Sequence, residues 1–232
     1  MEFRNFLLSA LGADDEAALV PHLKEVSLSR GQMLYEPGDQ VDLIYFPSSA
    51  CISVATIMQD GRTFETGTIG RESAGGLVDA IAGATVANRV FVQLAGGAMS
   101  ISTAAFRARL AASPSLMRLA LQHLRAIIRQ AETTAACNVA HPADQRLARW
   151  LLMTEDRVGG ASFPLTQEYM SVMTGVQRTT VSMMAAALKK DGIIDYSRGN
   201  IVVLDQGALK AKACECYGEA ERQFLQLKAE KT

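Results

Sequence analysis

Polar side chains gather at the start of a short helix that the sequence predicts to begin after Val176. Four of them lie in its first turns: Gln177, Arg178, Thr179 and Ser182. Side chains of these types at a helix N-terminus can hydrogen-bond base edges in the major groove of DNA, where arginine suits guanine and glutamine suits adenine. The spacing therefore predicts nucleic-acid recognition at this helix, and we assign no catalytic residue.

Two hydroxyl groups and a further arginine extend this set. Thr166, which is expected to cap the preceding helix, and Thr180 can bond DNA phosphates, helped by the partial positive charge at a helix N-terminus. Arg198 lies in a polar turn between two short apolar runs and can reach the DNA backbone. Lys189 and Lys190 end the second helix, where solvation and DNA contact are equal alternatives.

The elements that position these residues follow from the apolar spacing around them. A first helix is predicted from Gln167 to Met173, and Gly175 occupies the turn, where a positive φ suits glycine. The second helix has an apolar face made by Val181, Met184, Ala185 and Leu188. Two short strands follow with a Gly-containing turn between them. This order predicts a winged helix-turn-helix.

The first 112 residues show a different pattern, with short alternating runs rich in Val, Ile, Thr and Gly. Turn signals separate the runs, and Asp60-Gly61 between two of them predicts a β-hairpin. Many short strands at near-regular spacing favour an all-β sandwich or barrel. We therefore expect an α+β protein whose N-terminal part is a β-roll of the cupin-like jelly-roll kind.

A long helix is predicted between these two parts, because Ser113-Pro114 provides an N-cap and a first-turn proline. Apolar residues recur at helical spacing along it and form one stripe, which we assign as a dimer interface: Leu116, Ala120, Leu124, Ile127 and Ala131. A second stripe of Met117, Leu121 and Ile128 lies beside the first. Burial of the helix within one subunit is an equal alternative. The predicted domains are residues 1–112, 113–140 and 141–232.

Composition limits the remaining functions. Hydrophobic residues make up 49% of the 232 residues, and the net charge of −1 does not suit a nonspecific nucleic-acid coat protein. No apolar run is long enough for a membrane helix, so we expect a cytoplasmic protein. The four cysteines contain no Cys-x2-Cys pair, so we predict no metal site. A metal-dependent enzyme on the β-roll is disfavoured because His22 is the only histidine there.

Over nearly its whole length the chain resembles the Crp/Fnr family of transcription regulators. The stretch Leu165–Ile194 aligns with the family's helix-turn-helix motif without gaps, and Thr166, Gly175 and Arg178 sit where the family has such residues. The resemblance implies a cyclic-nucleotide-binding-type β-roll, a dimerisation helix and a winged helix-turn-helix. It also implies a homodimer that binds a double-stranded DNA operator, with RNA polymerase as a further partner.

The sequence departs from the family in the part of the β-roll that binds the effector in other members. Family members that bind cyclic nucleotides carry a Gly-Glu pair and an Arg-Ser/Thr-Ala triplet, whereas here Arg71 follows Gly70 and the second region ends in Asn88-Arg89. Binding of cyclic AMP is therefore not expected, and the signatures of iron–sulfur and haem-binding members are missing. The effector stays unknown. The candidate pocket residues are Gly70, Arg71, Glu72, Asn88 and Arg89.

The recognition helix also departs from the family, because Thr179 and Met183 occupy positions where well-known members carry Glu and Arg. A different operator is therefore expected. The function predicted is a sequence-specific transcription regulator, controlled allosterically by its β-roll. The alternative is a nucleotide- or ligand-binding regulatory module that acts on a protein partner, for which acidic residues covering the helix-turn-helix would be the sign.

Overall fold

The structure is a computed structural model that describes residues 3–219 and 222. It begins with two short helices, α1 (Phe6–Ser9) and α2 (Ala13–Leu19), which cover one end of the N-terminal domain. The side-chain oxygen of Asn5 caps α1. Its amide nitrogen donates to the carbonyl oxygens of Pro47 and Ser73 at 3.0 and 2.9 Å. Asn5 therefore ties the N-terminal helix to the strands beneath it.

Strands β1 to β7 of the N-terminal domain form two antiparallel sheets whose inner faces share one hydrophobic core. In chain order they are β1 (Lys24–Leu28), β2 (Met33–Tyr35), β3 (Leu43–Pro47), β4 (Cys51–Ile57), β5 (Thr63–Ile69), β6 (Arg89–Leu94) and β7 (Gly96–Ser102). One sheet has the order β1-β7-β3 and the other the order β2-β6-β4-β5. This arrangement is the β-roll that the alternating sequence predicted.

The hairpin between β4 and β5 confirms the turn signal at Asp60-Gly61. Its last strand pair is Ile57 opposite Thr63, and Gly61 has a φ of 82°. Glycine tolerates this left-handed conformation without steric cost. The short helix α3 (Leu77–Ala82) then connects β5 to β6.

Two helices follow the β-roll. The first, α4 (Thr103–Ala112), packs beside α5 (Pro114–Ala140), which is 27 residues and about 40 Å long. The Ser113 hydroxyl accepts a hydrogen bond from the N–H of Leu116, and Pro114 occupies the first turn, where its missing N–H costs nothing. These caps confirm the predicted start of the long helix.

Within the described residues, the helices of the C-terminal part surround a small antiparallel sheet. The helices are α6 (Ala143–Val158), α7 (Gln167–Thr174), α8 (Arg178–Lys190) and α9 (Gln206–Lys212). The strands β8 (Ser162–Pro164), β9 (Ile194–Ser197) and β10 (Asn200–Val203) pair in the order β8-β10-β9. Helices α7 and α8 with the β9–β10 hairpin are the winged helix-turn-helix.

Two hydrophobic cores hold these parts together. The first lies inside the β-roll and extends onto α5 through Leu116 and Ala120. The second fills the C-terminal part and includes Cys51 and Leu94 from the β-roll. The two parts are therefore packed directly against each other. Within residues 3–219 and 222, none of the helices has the length and apolar character that a membrane span requires.

Candidate DNA-binding interface and ligand cavity

The turn between α7 and α8 fixes the angle of the helix-turn-helix. Gly175 has a φ of 68°, and its N–H donates to the carbonyl oxygen of Ser171 at 2.9 Å. The hydroxyl of Ser171 donates in turn to the carbonyl oxygen of Val176. A side chain at Gly175 would be strained because this backbone conformation is unfavourable for L-residues.

One face of α8 is buried, which leaves the other free to meet a partner. Val181, Ala185 and Leu188 are buried in the C-terminal core, where Met170 of α7 also lies. These positions follow helical spacing, so they share one side of the helix. The opposite side faces solvent and includes Met183, which is 70% exposed.

The predicted base-contacting residues lie at the open N-terminal end of α8. Gln177, Arg178 and Thr179 are exposed, while Thr180 and Ser182 are half-buried. Gln177 makes no capping bond with its side chain, so the amide is not committed to the helix. The Ser182 hydroxyl donates to the carbonyl oxygen of Arg178 at 2.8 Å and keeps its oxygen as an acceptor.

The wing brings two further predicted residues together. Arg198 and Gly199 both have positive φ, 50° and 75°, which is the two-residue turn that matches the twist of a hairpin. The carbonyl oxygen of Gly199 accepts a bond from the N–H of Leu165 at 2.7 Å. The exposed Arg198 is thereby held next to Thr166, whose hydroxyl caps α7 by accepting from the N–H of Tyr169.

The charge on this surface favours an anionic partner. Helix α8 carries three basic residues and no acidic one within Arg178–Lys190. Lys189 pairs with Asp195 at 2.7 Å, so part of its charge is used inside the domain. Lys190 and Arg178 are exposed at opposite ends of the helix. The acidic cover that would indicate a protein-binding module is missing from α8.

A cavity of about 350 Å³ lies between the β-roll and α5. Its polar lining comes from the side chains of Thr66, Thr68, Ser73, Asp79, Asn88 and Gln130. Burial raises the pKa of the Asp79 carboxyl. Ile127 and Ala131 of α5 complete the wall. The lining contains no basic side chain, so it offers no cation for a phosphate group.

The five predicted pocket residues do not share this cavity, and only Asn88 lines it. Asn88 and Val90 face the cavity, so Arg89 between them points to the other side of the sheet, as strand alternation requires. There Arg89 pairs with Glu36 at 3.0 Å. Arg89, a candidate pocket residue from the sequence, therefore does not line this cavity.

Gly70 and Glu72 contact the C-terminal part of the chain, and Arg71 packs on the N-terminal helix α1. A Cβ on Gly70 would lie 2.5 Å from Cγ of Arg157 in α6, so glycine is needed for this close approach. Glu72 pairs with Arg157 at 2.7 Å. The Arg71 guanidinium lies over the ring of Phe6. The assignment of these three residues to a pocket is therefore corrected.

The predicted dimer stripe on α5 is divided between three environments. Leu116 and Ala120 are 3% and 6% exposed and pack into the core of their own chain. Ile127 and Ala131 line the cavity, whereas Leu124 is half-buried and is not part of that lining. The outer stripe instead follows steps of four and three residues and includes the half-buried Leu124 and, at the edge of the cavity, Ala131: Met117, Leu121, Leu124, Ile128, Ala131 and Ala135. Leu116, Ala120 and Ile127 are thus removed from the predicted interface.

The sequence did not indicate two side-chain clusters that the fold creates. One joins Cys137, His141, Cys214 and Cys216. The other joins Glu65 to Ser53 and Thr68 near Arg157. A signal for the first existed, because Cys137 and His141 are four residues apart and so share a helix face.

Comparison with known proteins supports the same architecture. Residues 145–212 match the family model of the Crp-like helix-turn-helix domain. No curated protein sequence matches the chain.

Solved structures of similar fold cover most of the chain. FixK2 from Bradyrhizobium japonicum is 16% identical with a TM-score of 0.71, over 83% of this chain and 98% of its own. A CRP-family transcriptional regulator from Thermus thermophilus is 19% identical with a TM-score of 0.67, over 82% and 96%. The c-di-GMP-responsive global regulator CLP of Xanthomonas campestris is 16% identical with a TM-score of 0.64, over 83% and 99%.

The exposed start of α8, the wing and the matched domain support a DNA-binding transcription regulator. Together with the β-roll and the long helix, this domain gives the chain the fold of the solved Crp/Fnr-family structures.

Proposed function

We propose that the protein is a homodimer that binds a specific DNA operator and changes its affinity when a small molecule occupies the cavity beside α5. The observation that carries the proposal is the shared position of cavity and stripe on one helix. Ile127, Gln130 and Ala131 line the cavity, while Leu121 and Ile128 are exposed on the adjoining side. A ligand would therefore contact the helix that makes the dimer.

The stripe on α5 supports the dimer. Leu121 and Ile128 are 58% and 51% exposed and lie seven residues apart. Apolar residues that alternate at steps of four and three form the seam of two-stranded coiled coils. Two copies related by a two-fold axis would cover each other's stripe and would place their α8 helices on the same side of the assembly.

The sheet between cavity and DNA-binding part supports the allosteric control. In strand β6, Val90 faces the cavity, and Phe91 faces the opposite side, where its ring lies 6.3 Å from that of Tyr169 in α7. Gln93 of the same strand reaches the sulfur of Met173 at 3.7 Å. A ligand that shifts this sheet would shift α7 as well, and a population shift needs only a difference in affinity between two such arrangements.

The side chains that line the cavity limit the class of ligand that it can bind. Its walls are largely apolar with a few hydroxyl and amide groups, and its one ionisable side chain is Asp79. A cyclic phosphate requires a nearby cation or several backbone donors. We therefore propose an uncharged or cationic ligand. RNA polymerase is proposed as a further partner of the DNA-bound dimer.

Selection of DNA from a random-sequence pool by the full-length protein tests this function. An enriched pseudo-palindrome with half-sites about one helical turn apart is expected for a two-fold dimer. Sedimentation of the protein with the selected duplex should show two chains per DNA. Recovery of no preferred sequence, or of a single half-site bound by one chain, would contradict the proposal.

A further inference from the structure

Four side chains with metal-binding atoms meet where α5 ends. Cys137 lies in the last turn of α5 and His141 follows the helix as its C-cap, while Cys214 and Cys216 lie just after α9. The three sulfur atoms and one ring nitrogen all lie within 4.8 Å of one another. The chain is folded back over more than seventy residues to bring these two pairs together.

Local backbone structure explains why the four groups converge. The N–H of His141 donates to the carbonyl oxygen of Cys137 at 3.1 Å, so both side chains lie on one face of the helix end. After α9, the N–H of Tyr217 donates to the carbonyl oxygen of Cys214 at 3.1 Å. This turn directs Cys214 and Cys216 to the same side, toward α5.

The distances suit a tetrahedral ion. Sγ of Cys137 lies 3.5 Å from Sγ of Cys214, and Sγ of Cys216 lies 3.7 Å from Nδ1 of His141. Thiolates bound at about 2.3 Å around a tetrahedral zinc ion are separated by about 3.8 Å. An iron–sulfur cluster holds its cysteines farther apart, since inorganic sulfide and iron lie between them.

The surroundings of the cluster complete the pattern of a metal site. Nε2 of His141 lies 3.1 Å from the carboxylate of Glu215, which leaves Nδ1 directed at the thiols. A carboxylate behind a histidine ligand fixes its tautomer and orientation in many zinc sites. Arg149 is only 7% exposed, and its charge partly offsets the rise in pKa that burial causes at Cys137 and Cys216. This cation would offset the negative charge of three thiolates around one divalent ion.

We propose that Cys137, His141, Cys214 and Cys216 bind one zinc ion per chain in a closed, tetrahedral site. A site with four protein ligands and no open position is structural rather than catalytic. It joins the end of α5 to the segment after α9, across the junction at Pro142 where α5 gives way to α6. The ion would therefore fix the position of the DNA-binding part relative to the long helix.

The cysteines of the cluster would bind zinc in their deprotonated, negatively charged form. Burial raises the pKa of Cys137 to about 12, despite the nearby Arg149. Zinc binds cysteine as the thiolate, so zinc binding at this site should release protons. Proton release on metal addition is a second signature of the site, independent of DNA binding.

Cobalt substitution of the full-length, tag-free protein tests the proposal. Metal analysis of protein purified under reducing conditions should give about one zinc per chain. Cobalt added to the metal-free protein should give strong visible bands typical of tetrahedral coordination and a thiolate charge-transfer band. The variants C137S, C214S and H141A should reduce cobalt affinity by at least about tenfold, whereas C51S and H22N, which lie outside the cluster, should not.

One variant separates ligation from a mere folding role. H141C replaces the ring nitrogen with a fourth thiolate, so it should retain cobalt and increase the charge-transfer intensity. The proposal would be overturned if the protein is purified without metal and if its spectrum after cobalt addition is octahedral or is unchanged by these variants. Inorganic sulfide bound to the protein, or a Cys137–Cys214 disulfide in reduced preparations, would also overturn it. None of these measurements depends on the operator or on the dimer.

Discussion

Arg178 occupies the first turn of α8, where a side chain can reach a base edge without bending around the helix. It is exposed, and no acidic side chain of α8 competes for its charge. Sequence spacing was sufficient to propose this residue, because the apolar positions of a short helix determine which side faces outward. The base that it would contact is set by the docked geometry of the DNA complex rather than by spacing within one helix.

Replacing Arg178 with alanine should weaken binding to the selected operator by about 1–3 kcal/mol, because a bidentate contact to guanine is lost. Binding to unrelated duplex should change much less. Fluorescence anisotropy with both duplexes measures the ratio of the two dissociation constants. K190A removes the same charge from the other end of α8 and is the matched control. Equal losses on both duplexes for R178A would show that Arg178 contacts only phosphate.

Glu65 illustrates a residue property that only tertiary structure reveals. Its carboxylate accepts hydrogen bonds from Ser53 and from Thr68, the latter at 2.8 Å. Burial raises the pKa of this carboxyl to about 7 even though these bonds and Arg157 oppose the shift. The folded state therefore binds a proton more tightly than the unfolded chain does between about pH 4.5 and pH 7.

This shift predicts that Glu65 lowers the free energy of unfolding as the pH rises through that window. The slope approaches about 1.4 kcal/mol per pH unit where the proton is held only in the folded state. The variant E65Q, which has no proton to lose, should therefore gain stability relative to wild type between about pH 5 and pH 8. Urea unfolding at pH 5 and at pH 8 measures the difference in stability between E65Q and wild type. The variant E25Q, at an exposed surface position, is the control. A pH-independent difference for E65Q would contradict the assigned pKa.

At the scale of elements, α5 has three faces in different surroundings. Its inner face packs into the β-roll, a second face borders the cavity, and its outer stripe is exposed. The sequence predicted the helix, but it divided the apolar residues between two stripes differently from the way the structure does. It could not assign the stripes, because two apolar faces on one helix are equivalent until a neighbouring element covers one of them.

Leu121 lies at the centre of the exposed stripe, so L121E should dissociate the proposed dimer. A charge facing its own copy across a two-fold axis should raise the dissociation constant by at least about tenfold, or about 1.4 kcal/mol. Analytical ultracentrifugation over a concentration series measures this change. L204E introduces the same charge at Leu204, which is 60% exposed and lies outside α5, and should leave the association unchanged. An identical dimer in both variants would place the interface elsewhere.

At the scale of the whole molecule, a buried ion pair connects the β-roll to α6. Arg157 and Glu72 are 5% and 13% exposed at their side chains, with 2.7 Å between Nε and Oε1. Gly70 makes room for the arginine. The pair is costly to desolvate, yet loss of one partner is worse because a charge is left buried alone.

The variant E72Q should therefore lower the free energy of unfolding by about 3–5 kcal/mol. The double variant E72M/R157M should recover much of this loss, since it removes both charges and keeps the volume. D60N breaks the surface pair of Asp60 with Arg62 and should cost less than about 1 kcal/mol. Urea unfolding of the four proteins provides the comparison. Equal effects of E72Q and D60N would show that the buried pair is well solvated.

Sequence alone determined the parts that depend on local periodicity. Strand alternation, the Ser113-Pro114 cap and the glycine turns at Gly61 and Gly175 each act within a few residues, so they can be predicted without neighbours. The helix-turn-helix and the outward face of α8 follow from the same short-range rules. These rules were enough to predict the fold class and to propose the DNA-binding surface.

The tertiary structure decided everything that depends on residues far apart in the chain. In the structure, the segment around Gly70 contacts α6, and Arg89 points away from the cavity. The outer stripe of α5 faces solvent. The fold also brought Cys137 and His141 to Cys214 and Cys216. Such encounters depend on how whole elements pack, and packing is set by surfaces distributed over the entire chain rather than by spacing within one segment.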